Sequence, residues 1–134
     1  MSGLVLKLSP RERLLINGAV VENGDRRTRL SILTANANIL RLRDAIHPEE
    51  AGTPVRRVCY TAQLLLSGDA NPEIARRQLL HQIEALSQAL TDPDSRAQLA
   101  RATETLLDEQ YYQCLKALRT LLPREERLLA NGAP

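Results

Sequence analysis

The sequence predicts an α+β fold: a small antiparallel β lobe over residues 1–50 followed by a lobe of three to four helices over 51–134, the two folding as one cooperative unit. Three observations predict it. Residues 4–43 hold five short strings rich in leucine and β-branched residues, separated by turn residues. After Thr53-Pro54 the apolar spacing changes to the i, i+3, i+4, i+7 repeat of a helix face. The strands all precede the helices, which argues against a parallel sheet, where the two alternate.

The strand strings are LVLKL at 4–8, RLLI at 13–16, AVVE at 19–22, RTRLSILT at 27–34 and NILRLR at 38–43. Asn17-Gly18 fits a two-residue type I′ turn, because both central residues of that turn need positive φ and these two tolerate it best. Asn23-Gly24-Asp25 reads as a second turn of the same kind, so the middle strands are predicted to form linked hairpins, a meander. In the second half, Val55, Val58, Cys59, Ala62, Leu65 and Leu66 fall on one face of a first helix that Gly68 ends. Asn71-Pro72 opens a second helix, running to about Leu90. Asp92-Pro93 opens a longer third one, carrying Leu99, Leu106, Leu107, Tyr111, Cys114, Leu118 and Leu122 inward. Each start uses one device, a side-chain acceptor at the N-cap and then proline at the first helical position, where its missing N–H costs nothing. A last segment at 124–130 closes with Asn131-Gly132.

Composition narrows the function classes. With 134 residues, 43% apolar and 25% charged, the chain has the make-up of an ordinary globular protein. Its two cysteines, Cys59 and Cys114, are far apart, so neither a disulfide framework nor a zinc site is indicated, and a reducing cytoplasm is the expected location. No apolar run is long enough to span a bilayer, so no membrane partner is expected. Net charge is +2, unevenly spread: up to Leu66 there are ten basic against six acidic residues, and beyond it eight against ten. Such asymmetry points to an anionic partner for the first half. Sixteen of the eighteen basic residues are arginine, suited to bidentate contacts with phosphate, although a GC-rich genome gives the same bias.

Period-two alternation sharpens this. Arg27 and Arg29 point opposite to Leu30 and Ile32, and Arg41 and Arg43 opposite to Leu40 and Leu42. If the two strands share a sheet, four guanidinium groups share one solvent face, with Arg26 and Lys7 at its margin: a candidate RNA-binding surface. Stacking modules of the RRM, cold-shock or OB type are excluded on composition, since the chain has no Phe or Trp and its tyrosines, Tyr60, Tyr111 and Tyr112, lie in the helical half. Arg56 and Arg57 open a helix, an unfavourable end for positive charge, so a contact is expected there, with a ligand or with Glu49 or Glu50. Catalysis has little to stand on. His47 and His81 are isolated, both cysteines fall on apolar stripes, and no phosphate-loop, Rossmann or metalloprotease pattern occurs; no enzyme activity, metal or cofactor is expected.

NGAVVENGDRR at 17–27, ANILRLRD at 37–44, and HPEEAGTPVRR at 47–57 followed by Ala62-Gln63-Leu64 together resemble the FlbT family of flagellin biosynthesis regulators. That resemblance implies a post-transcriptional regulator that associates with the 5′ untranslated region of flagellin mRNA and lowers its translation or stability, some members acting as activators. The layout of residues 4–46 is also similar to the carbon storage regulator family, an all-β RNA clamp. Arg43 matches an RNA-contacting arginine there, whereas Leu8, beside Lys7, stands where that family has a first-strand arginine. The helical lobe would then supply the remaining core or a homodimer interface. The alternative is a protein-binding adaptor or chaperone for flagellin or a flagellar regulatory protein, with Tyr111 and Tyr112 as exposed interface anchors.

Overall fold

Five strands form as the alternation requires, but they pair by long-range register as well as by chain order. In this computed structural model, which describes residues 4–132, the strands are β1 (Leu4–Leu8), β2 (Arg13–Ile16), β3 (Ala19–Glu22), β4 (Thr28–Ile32) and β5 (Ile39–Arg41). They make two antiparallel sheets, β1-β4 and β3-β2-β5. The β2–β3 hairpin turns at Asn17 (φ 49°) and Gly18 (φ 85°), the predicted positive pair.

The meander is corrected at its second turn. Gly24 does not take positive φ, and β3 does not pair with β4. Asn23 is instead fastened to the β1–β2 turn: its amide donates to the Glu12 carbonyl at 2.8 Å and its side chain to Ser9 O at 2.7 Å, while Arg11 donates to Gly24 O. Thr28 Oγ1 donates to Asn23 Oδ1 at 2.9 Å. Those bonds carry the chain across to β1, where β4 runs antiparallel with Lys7 opposite Arg29. The fourth and fifth strands are also shorter than predicted, and after Arg41 the chain tightens into a 3₁₀ turn, Leu42–Asp44.

The helices are α1 (Pro54–Ser67), α2 (Pro72–Ala89), α3 (Pro93–Leu107), α4 (Tyr111–Arg119) and α5 (Leu122–Gly132). Thr53, Asn71 and Asp92 cap the first three with side-chain acceptors, each followed by proline. Gly68 ends α1 at φ 80°. The long third helix is in fact two. Glu109 takes φ 61°, Gln110 N–H bonds Thr105 O and Glu109 N–H bonds Leu106 O, the paired bonds of a Schellman stop. The apolar pattern continues past it because α4 turns its stripe to the core that α3 also faces. A contact no local pattern announces fastens the end of the chain: the buried Glu125 carboxylate of α5 accepts from Thr53 Oγ1 and, at 2.8 Å, from the Val55 amide, filling the α1 N-terminus with negative charge.

Two apolar clusters result. The larger lies among the helices and holds both cysteines, buried as their stripe positions predict; burial pushes each thiol up to about 12. The smaller joins Leu6, Leu8, Leu14, Ile32 and Ile39. β5 lies between them, with Ile39 in the smaller cluster and Leu40 in the larger. Tyr112 packs against both. Polar bonds add to the join: Gln63 makes a two-way bond with the Ile46 backbone, and Arg119 donates to Asp44 O at 2.9 Å.

Candidate nucleic-acid interface

The β1-β4 ribbon buries Leu6, Leu8 and Ile32 on one face and leaves Val5, Lys7, Arg29 and Ser31 on the other. Lys7 and Arg29 are direct cross-strand neighbours, an arrangement of like charges that weakens a sheet unless an anion lies over it. Arg27, two residues before Arg29, and Arg43, delivered by the 3₁₀ turn, close a shallow basin of about 580 Å³ lined also by Leu8, Ser9 and Thr28. None of the lining residues is acidic. Among the described residues Lys7, Arg27 and Arg29 make no ion pair; Arg43 Nε stands 3.7 Å from Glu12 Oε2. Arg26 is exposed in the preceding bend, its carbonyl accepting from Asn23 Nδ2, and does not line the basin.

Arg41 is not on that surface, which corrects the four-arginine face. Its guanidinium is buried and grips Glu12 with two bonds, Nε to Oε2 at 2.6 Å and Nη2 to Oε1 at 2.8 Å, while Nη2 also donates to the Lys7 carbonyl at 2.6 Å. Glu12 in turn accepts from Ser9 N–H at 3.0 Å. Arg41's fork, aided by that amide and opposed by the cost of burial, holds the Glu12 carboxyl down at about 2; the same pairing raises the Arg41 pKa. Arg41 therefore acts from beneath: it ties the end of β1, and with it Lys7, to β5 and to the β1–β2 turn.

Arg56 and Arg57 do find contacts, but not the carboxylates of Glu49 and Glu50. Arg56 reaches the Glu50 carbonyl at 3.5 Å and Glu126 at 3.9 Å, and Arg57 the Gly52 carbonyl at 3.2 Å. His47 caps the 3₁₀ turn Pro48–Glu50, its Nδ1 accepting from Glu49 N–H. Tyr111 and Tyr112, expected as exposed anchors, are both half-buried against the core. Among the described residues no helix is long and apolar enough to cross a membrane, and no cluster of ligating side chains could hold a metal.

Local alternation missed Lys116 and Arg119 of α4, which line a second cleft with Lys7 and Arg43. No signal in the strand half could place them there, since α4 reaches the β lobe only through the tertiary fold.

A family model described as Flagellar protein FlbT matches residues 4–129. The chain is 30% identical over 128 residues to the probable flagellum biosynthesis repressor protein FlbT of a Caulobacter species, covering 96% of this chain and 97% of that one. Identity is 27% over 128 residues with the flagellum biosynthesis repressor protein FlbT of Caulobacter vibrioides, with coverage of 96% and 90%. It is 34% over 129 residues with the probable repressor of Rhodopseudomonas palustris, with coverage of 96% and 98%. No solved structure matches the chain.

Proposed function

The chain belongs to the FlbT family of flagellar proteins, and from that premise we propose that it represses flagellum biosynthesis in the cytoplasm by binding the 5′ untranslated region of flagellin mRNA through the β1-β4 face. The regulatory role follows the family's curated members, named flagellum biosynthesis repressors. One observation supports RNA as the ligand: Lys7, Arg27, Arg29 and Arg43 converge on a basin with no acidic residue in its lining. Four cations on one basin, of which Lys7, Arg27 and Arg29 make no ion pair among the described residues, suit the phosphates of a nucleic-acid backbone. Bound RNA would occlude the leader from ribosomes or expose it to decay, with no bond made or broken by this chain.

Fluorescence anisotropy with a labelled flagellin leader RNA tests this. Neutralising four phosphates predicts a single-strand salt slope near −2.8, or about a fifty-fold loss of affinity between 50 and 200 mM salt. The Arg27→Ala plus Arg29→Ala variant should bind about ten-fold more weakly with a slope shallower by about 1.4. A wild-type protein that ignores the RNA, or binds it with no salt dependence, rules the reading out.

A further inference from the structure

The basin does not end at Arg43. Lys7 and Arg43 also form one wall of a cleft of about 470 Å³ between the β lobe and α4. Lys116 and Arg119 stand on the opposite wall, and Tyr112 and Leu115 give it an apolar floor. Three of the cleft's five cations already face a carboxylate, Arg41 and Arg43 that of Glu12 and Arg119 that of Asp44, which also lines the cleft. Lys116 is exposed and, among the described residues, makes no ion pair. Of the eighteen basic residues only Lys7 and Lys116 are lysines, and the two walls of this one cleft carry one each.

We infer that the cleft is the second half of the RNA site, where a single strand leaves the β1-β4 face, passes Lys7 and Arg43, and delivers its next phosphate to Lys116. This rests on the RNA-binding reading above and adds the helical lobe to it. The ligand class follows from shape: a stiff duplex cannot bend from an open sheet face into a crevice between two lobes, whereas a single strand can. Cations on the rim would hold phosphates while bases lie toward the floor, as in other single-strand grooves. An ammonium on a flexible stem suits this, because it neutralises phosphate as a point charge without requiring a fixed fork geometry.

Two measurements on the full chain with the labelled flagellin leader RNA decide it. Lys116→Ala should weaken binding about five-fold at 100 mM salt and flatten the salt slope by about 0.7, one phosphate's worth. Acetylation with an amine-reactive ester, read by mass spectrometry, should show RNA protecting Lys7 and Lys116 together. If wild type binds but Lys116→Ala matches it in affinity and slope, and RNA protects Lys7 alone, the cleft is no part of the path and the β-face reading stands. If wild type binds no RNA, both proposals fall.

Discussion

Arg41→Ala should lower the unfolding free energy by about 3 kcal/mol, because it strands the Glu12 carboxylate, 9% exposed, without its bidentate partner. In a chain of this length that corresponds to a melting temperature lower by roughly 10 °C. Arg41→Lys should recover only part, since an ammonium cannot span both oxygens. The double variant Glu12→Leu with Arg41→Met should regain most of the loss, as burying no charge avoids the penalty altogether. Urea unfolding followed by circular dichroism measures all four. Equal midpoints for Arg41→Ala and wild type would refute the assignment of Arg41 as an internal brace. Acid adds a second reading. A carboxyl depressed from 4.5 to about 2 in the folded state contributes stability that is complete above about pH 4.5 and is lost as pH falls toward 2. The wild type should therefore lose about 3 kcal/mol across that window through this group, and Arg41→Ala, having lost the pairing already, should lack that limb.

Tyr112→Ala should cost about 2–3 kcal/mol, less than a fully buried aromatic because the ring is half-buried, yet it removes contacts from both apolar clusters at once. Tyr112→Phe should lie within about 1 kcal/mol of wild type, since among the described residues no hydrogen bond to the hydroxyl supports the fold. The check is amide hydrogen exchange. Tyr112→Ala should speed exchange in β1 and β5 as well as in α4; faster exchange confined to α4 would mean that the ring joins nothing.

The contrast between Arg41 and Arg43 shows how far the sequence can be read. Alternation correctly put Arg41 on the face opposite Leu40. Alternation assigns faces, however, not wetness, and β5 has no wet face: Leu40 enters the helical cluster and Ile39, which shares Arg41's side, enters the β cluster. A cation there needs an internal anion, and Glu12 lies 29 residues away in sequence, beyond any local pattern. Arg43 reaches the basin for a reason alternation did not supply, the 3₁₀ turn that ends the strand. Helix starts were legible because capping is a matter of adjacent residues: Thr53-Pro54, Asn71-Pro72 and Asp92-Pro93 carry their own signal. The stop at Glu109 was not, because a glutamate takes positive φ there without the glycine that usually marks such a site. The β1-β4 pairing was hidden for the same reason as Glu12, since its register partners lie between 20 residues (Leu8 and Thr28) and 28 residues (Leu4 and Ile32) apart.

The chain has no tryptophan, so the usual optical reporter of tertiary structure is missing. The two thiols can replace it. Cys59 and Cys114 are 0% and 1% exposed, and a sulfhydryl that ionises only near 12 scarcely reacts with an aromatic disulfide reagent at pH 8 while the helices stay closed. Chromophore release from undenatured protein would then count only those molecules that have momentarily come apart, giving an opening free energy in plain buffer with no engineered label.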